Sequence, residues 1–179
     1  MNKQQEAFKR FKKLKVGALF MKMGSGKTKV AIDLINNVKD KIDLVLFIVP
    51  NQTIKTLEYE IIKWGLDVPY LIKSYENISQ SDKGYLDTLK IIKDKRLFIV
   101  ADESSFIKNE TSKRYKRILK IAKYSEFRLI LNGTPITKDE WDLYNQMYFL
   151  SPKIIGMSRN EFLNTFFKKI TFKKVGEKE

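Results

Sequence analysis

The stretch Met21-Lys-Met-Gly-Ser-Gly-Lys-Thr28 restricts the fold of this chain more than any other. Gly24 and Gly26 flank Ser25, and a Lys27–Thr28 pair follows at once. The apolar run Val16-Gly-Ala-Leu-Phe20 precedes the loop, and Val30, Ala31, Leu34, Ile35 and Val38 follow it at helical spacing. Strand, glycine turn, lysine–threonine and helix is the setting in which backbone N–H groups converge on a phosphate, with the helix N-terminus adding partial positive charge. In such a loop, Met23 to Thr28, Lys27 reaches the β- and γ-phosphates of a nucleotide and the Thr28 hydroxyl ligates Mg²⁺. Met21 stands where the strict pattern has its first glycine.

Further strands and helices alternate behind the loop. Asp43-Leu-Val-Leu-Phe-Ile-Val-Pro50 is a continuous apolar run stopped by proline, as in a parallel strand buried on both faces. Ile54, Leu57, Ile61 and Trp64 then mark an amphipathic helix closed by Gly65. Val68–Ile72 is a shorter strand, 77–84 reads as polar loop and 85–93 as helix. Arg96–Ala101 and Phe127–Leu131 are two more strands, with a helix over Thr111–Lys123 between them. At the N-terminus, residues 2–14 read as a helix with Phe8, Phe11 and Leu14 on one side. Capping boxes at Thr137–Glu140 and Ser158–Glu161 open two closing helices, and a charged tail covers 168–179. The expectation is an α/β domain over 1–167, its mainly parallel sheet covered by helices on both faces.

Composition narrows the chemistry. With no cysteine and no histidine, thiol nucleophiles, zinc sites and histidine bases are excluded together. What remains is carboxylate, lysine, hydroxyl and amide chemistry with a hard metal such as Mg²⁺. Asp102-Glu103 supplies the carboxylates: an apolar strand delivers both to its C-terminal end, the edge where open α/β sheets bind ligands. Asp102 would hold Mg²⁺ and Glu103 would orient and deprotonate an attacking water, the two tasks that phosphoryl transfer leaves to protein carboxylates. The net charge of +14 favours a polyanionic partner, although a lysine-rich, low-GC composition contributes to that excess. The N-terminus lacks the apolar stretch of a signal peptide and no run approaches a membrane span, so a cytoplasmic location with no membrane association is expected.

Together these motifs resemble the N-terminal RecA-like lobe of superfamily-two helicase-like ATPases of the Swi/Snf type. Met23-Gly-Ser-Gly-Lys-Thr28 resembles that family's motif I, and Phe47-Ile-Val-Pro50 with the following helix its motif Ia. Ser74-Tyr-Glu76 is similar to its Ser/Thr-Tyr-Glu segment and Asp102-Glu-Ser-Ser-Phe-Ile-Lys-Asn109 to motif II. Arg128-Leu-Ile-Leu-Asn-Gly-Thr-Pro-Ile136 resembles motif III. DEAD-box RNA helicases match less well, since they carry Asp-Glu-Ala-Asp and Ser-Ala-Thr. The resemblance implies a RecA-like P-loop NTPase fold, ATP and Mg²⁺ as cofactors, and double-stranded DNA as partner. It implies that Gln4, with Gln5 as the fallback, reads adenine. It further places Thr53, Ser74, Tyr75, Lys108 and Asn109 near the nucleic-acid track, and has Gly133–Thr134 couple that track to the nucleotide.

Three departures qualify the match. Lys22 replaces an acidic residue before motif I, and Ser104-Ser105 replaces Ala-His in motif II. Nothing resembling a second RecA-like lobe, with its arginine fingers, is found in the 179 residues. An arginine finger is worth on the order of 10³–10⁵ in rate, so a lobe alone should bind nucleotide and turn it over slowly. The expected function is therefore the first lobe of a bacterial or phage DNA translocase that works with a second lobe in the same or another chain. A nucleotide-gated nucleic-acid-binding module without turnover, and a motor acting on RNA, remain open alternatives.

Overall fold

A computed structural model of the chain describes residues 2–134 and 141–166. The end of the motif III match at Pro135–Ile136, the Thr137–Glu140 capping box, Phe167 and the tail 168–179 lie outside those residues.

Strands β1 (Val16–Phe20), β2 (Leu44–Val49), β3 (Tyr70–Ser74), β4 (Leu97–Asp102) and β5 (Ser125–Asn132) form one sheet in the order β1-β5-β4-β2-β3, every pair parallel. A buried parallel strand must be apolar on both sides, and the alternation divides the core accordingly. Val45, Phe47 and Val49 of β2, with Phe98 and Val100 of β4, face one layer. That layer is α2 (Lys27–Asn36) and α3 (Ile54–Trp64), with Phe8 and Phe11 of α1 (Lys3–Phe11) packed against it. Leu44, Leu46 and Ile48, with Leu97, Ile99 and Ala101, face the other. There α4 (Tyr75–Gln80), α5 (Asp82–Ile92), α6 (Lys113–Ala122) and α7 (Trp141–Leu150) complete the core. Short helices α8 (Pro152–Ile155) and α9 (Arg159–Phe166) close the described chain.

The order of the strands positions the site. The chain leaves β1 at one edge, builds β2 and β3 at the other, then returns to insert β4 and β5 between. All five strands are parallel, so the loop after β1, Asp102 at the end of β4 and Asn132 at the end of β5 lie on the same sheet edge. The opposite edge is tied by Arg96, whose guanidinium donates to Asp43 Oδ1 at 2.7 Å and to the Asp40 carbonyl at 3.0 Å.

Several elements depart from the sequence expectation. Residues 77–84 are mostly helical rather than loop: Ser74 Oγ accepts from Asn77 N–H and Ser81 Oγ from Gly84 N–H, so two serine caps start α4 and α5. The first helix stops at Phe11 instead of reaching 14, and Leu14 is 56% exposed. The third strand runs two residues later than the apolar run suggests, Tyr70–Ser74, in register with β2. At Gly65, φ 67 ends α3 as the sequence indicates. The Ser158 box also forms, with Ser158 N–H donating to Glu161 Oε2 at 2.7 Å and Glu161 N–H to Ser158 Oγ at 3.3 Å.

Candidate functional site

Gly24 and Gly26 both adopt left-handed backbone, φ 71 and φ 84, which bends the chain from β1 back into α2. Within the loop, Ser25 N–H donates to the Lys22 carbonyl at 3.2 Å and the Ser25 hydroxyl to the same oxygen at 2.6 Å. Helix α2 opens with Val30 N–H donating to Gly26 O at 3.1 Å, and no side chain caps this N-terminus. The N–H groups of Lys27, Thr28 and Lys29 therefore have no partner inside the helix and suit an anion. Lys27 Nζ lies over the loop, donating to the carbonyls of Met21 at 3.2 Å and Lys22 at 3.5 Å. Met21 needs no glycine: its backbone is not left-handed, and its N–H donates to Asn132 O at 3.2 Å, so it extends β1. Met23 is 85% exposed and Thr28 partly buried.

Gln4 approaches this loop from α1. Its Nε2 donates to the Ser25 carbonyl at 3.1 Å, and a Cβ added at Gly26 would meet that nitrogen at 2.2 Å. Helix α1 is held in place by a capping box in which Asn2 and Gln5 each bond the other's backbone, so Gln5 has a structural task.

Asp102 ends β4 and Glu103 follows it with φ 48 and ψ 55, the only non-glycine residue with positive φ among the described residues. Glu103 N–H donates to Asp102 Oδ1 at 2.9 Å. Burial at the sheet edge pushes the Asp102 carboxyl up to about 6; that bond and the Lys27 ammonium act to lower it, while the Glu103 charge raises it. The influence of Lys27 on Asp102 reflects how the fold brings loop and strand end together. An open cleft alongside is lined by Lys22, Met23, Glu103, Ser105, Asn132, Gly133 and Thr134. A Cβ at Gly133 would lie 3.8 Å from both Met21 O and Met23 N, so the β5 end rests on the start of the loop.

A buried polar network supports this edge from below. Ser104 donates to Gln146 Oε1, Asn132 Nδ2 approaches both groups at 3.4 Å, and Asn132 Oδ1 accepts from Thr134 N–H at 2.9 Å. Gln146 Nε2 in turn donates to the Asp142 carbonyl at 2.6 Å. Sequence reasoning did not find Asn132, Asp142 or Gln146. Their only signal is polarity inside otherwise apolar elements.

The residues expected along a nucleic-acid track divide. Ser74 and Tyr75 are buried: Ser74 caps α4, and the Tyr75 hydroxyl donates to the Asp102 carbonyl at 2.7 Å. Tyr75 is 0% exposed and so does not touch an external phosphate; Ser74 is 6% exposed and its hydroxyl is engaged in the cap. Thr53 donates to Pro50 O at 3.0 Å, and Lys108 pairs with Asp142 at 3.4 Å. Asn109 is exposed, with Oδ1 accepting from Thr111 N–H and Oγ1. On α6 two of the basic side chains turn toward the protein. Arg117 donates to Ile78 O and stacks on Tyr85 at 4.6 Å, and Arg114 lies over Phe106 at 5.1 Å, which leaves Lys116, Lys120 and Lys123 exposed.

The donor set fits magnesium nucleotide. The loop offers N–H groups and an ammonium for phosphate, while Thr28 and Asp102 offer hard oxygens for Mg²⁺. Among the described residues no group of three or more Asp, Glu, His or Cys could hold a metal.

A parallel sheet with a glycine phosphate loop after its edge strand, and an Asp-Glu pair two strands away, defines a nucleoside-triphosphate-binding α/β domain. The profile of the SNF2-related domain matches residues 65–179, and that of the type III restriction enzyme res subunit matches residues 1–64. The chain belongs to the SNF2-related family. It is 28% identical over 166 residues to the chromatin remodeling factor mit1 of Schizosaccharomyces pombe, covering 78% of this chain and 12% of that protein. It is 30% identical over 164 residues to the ISWI chromatin-remodeling complex ATPase ISW2 of Saccharomyces cerevisiae, covering 79% of this chain and 14% of that one. The chain thus spans a small fraction of these relatives. The fold is similar to the Sulfolobus solfataricus SWI2/SNF2 ATPase core solved in complex with dsDNA, with TM-score 0.72 and 24% identity over 91% of this chain and 38% of the other. The RecA-like α/β architecture expected from the sequence is the one found. No helix among the described residues is long and apolar enough to cross a membrane.

Proposed function

We propose that this chain is the ATP-binding lobe of an ATP-dependent double-stranded DNA translocase, hydrolysing ATP together with a second RecA-like lobe. The observation that carries the reading is the meeting, at one sheet edge, of the Gly24–Thr28 loop, the Asp102–Glu103 pair and the Asn132–Thr134 turn. Lys27 leaves its carbonyl partners for the β- and γ-phosphates, and the N–H groups at the start of α2 hold the same phosphates. Gln4, fixed against Ser25 O, presents its amide to the base. Thr28 and Asp102 would hold Mg²⁺, which would supply neutralisation of phosphate charge. Glu103 orients the attacking water and takes its proton. Gly133, resting on the start of the loop, and Thr134 beside it report its state to the nucleic-acid side.

Family membership and the SWI2/SNF2 core solved with dsDNA support DNA as the partner. A bacterial or phage source, suggested by the lysine-rich composition, and a cytoplasmic location are part of the proposal; mit1 and ISW2 are fungal proteins. On this reading 1–167 form the lobe and 168–179 a charged extension.

The test is binding of a fluorescent ATP analogue with and without Mg²⁺, followed by hydrolysis with and without duplex DNA. Lys27→Ala should weaken binding at least about tenfold, since it removes the charge that faces the phosphates. Glu103→Gln should keep binding within about twofold and stop turnover. Intact binding with no DNA response at any duplex concentration would favour a nucleotide-gated binding module, and a response to duplex RNA alone would redirect the motor to RNA.

A further inference from the structure

Three hydrogen bonds hold the backbone at Asp102 and Glu103. Glu103 N–H donates to Asp102 Oδ1 at 2.9 Å, Phe106 N–H donates to Glu103 O at 3.0 Å, and the Tyr75 hydroxyl donates to Asp102 O at 2.7 Å. Glu103 sits in the left-handed region, which an L-residue with a long side chain keeps only when its neighbours enforce it. Tyr75 is the long-range member of the set. It is buried, and its ring stacks on Phe106 with centroids 5.0 Å apart and planes 12° apart. Phe106 is covered in turn by the Arg114 guanidinium at 5.1 Å. Burial pushes the Tyr75 phenol well above its ordinary range. Next to it, Glu76 Oε2 accepts from Asn51 N–H at 3.2 Å, at the turn that leaves β2.

We propose that Tyr75 is a positioning residue for Glu103: its hydroxyl sets the plane of the Asp102–Glu103 peptide and so aims the Glu103 carboxylate at the attacking water. With Glu76 bonded to Asn51, the same segment links that peptide to the 51–53 turn, so a shift of the turn on ligand binding reaches Glu103 through two hydrogen bonds. This rests on the reading above in which Glu103 acts on water.

Tyr75→Phe keeps the ring and its stacking and removes only the donor. In the 179-residue chain, amide hydrogen exchange should rise at least about tenfold at Glu103 while the 24–28 loop and the thermal midpoint stay near wild type. In steady-state hydrolysis, kcat should fall about tenfold with KM for ATP within about twofold. A 4-aminophenylalanine placed at position 75, which restores an N–H donor at the ring's far end, should recover both. Unchanged exchange at Glu103 overturns the proposal. So does a kcat within twofold of wild type, or a loss that follows the thermal midpoint and is not rescued. Glu103→Gln run in parallel separates the two levels: normal turnover there removes Glu103 from the water, whereas the exchange result still decides whether Tyr75 holds the peptide.

Discussion

Gly24 and Gly26 share a left-handed backbone but not surroundings, and this separates two costs usually merged in one phosphate loop. Nothing lies within 4 Å of a Cβ built on Gly24, so Gly24→Ala bears only the conformational penalty, about 1 kcal/mol. At Gly26 the same penalty is joined by a clash with Gln4 Nε2. Gly26→Ala should therefore destabilise more in thermal unfolding and also release Gln4 from Ser25 O. Adding Gln4→Ala should restore part of that difference, and a double-mutant cycle with strictly additive effects would show that the two residues do not meet. Asp43 offers a residue-level test by pH. Hydrogen bonds from Arg96 pull its carboxyl from 3.8 down to about 2. A folded-state value below the unfolded one stabilises above about 3.8, and the gain is lost as pH falls toward 2. Asp43→Asn should unfold earlier than wild type at pH 7, and the gap in midpoint should close between pH 4 and pH 2. A gap that persists at pH 2 would assign the loss to packing instead.

Among elements, the connection from the end of β4 to β5 and α7 is where buried polar groups replace apolar packing. Ser104, Asn132 and Gln146 are all at most 1% exposed, and they join the residue after Glu103 to the turn before Thr134. Ser104→Ala takes one partner from each of Asn132 and Gln146, and chemical denaturation should report a loss of about 1–2 kcal/mol. A neutral substitution would mean that the remaining pair closes over the gap. This network also marks the limit of what could be read from the chain. The central strands, the phosphate loop and the Asp-Glu pair were legible because each carries a local pattern: unbroken apolar runs, positioned glycines, carboxylates just past a strand. The family resemblance sets Tyr75 near the nucleic-acid track, whereas the fold buries it. Its burial depends on Phe106 and Arg114, about thirty or more positions away, so no local spacing announces it. Arg114 and Arg117 follow the same logic. Helical periodicity places them outward, whereas the aromatic rings of Phe106 and Tyr85 draw them in. The α4–α5 region reads as loop because Ser74 and Ser81 both break and start helices, and only the paths of the neighbouring strands decide which.

For the molecule as a whole, a net charge of +14 predicts affinity for any polyanion, and the place of each lysine in the fold decides whether it can meet the proposed duplex. The strands are parallel, so a helix following one of them starts at the nucleotide edge and returns toward the opposite one. Lys55, in the first turn of α3 just after β2, stands at the nucleotide edge. Lys120 and Lys123 end α6, next to the start of β5 at Ser125, and belong to the far edge. If duplex DNA lies across the nucleotide edge, affinity should fall steeply with salt, and Lys55→Ala should reduce the slope of log K against log salt by about 1. The paired change Lys120→Ala/Lys123→Ala removes twice the charge and should leave that slope unchanged. Titration of labelled duplex at several salt concentrations, with the ATP analogue present, distinguishes the cases. Equal losses from the two variants would mean that the lysines act as diffuse charge, and a larger loss from the α6 pair would move the duplex to the other side of the sheet.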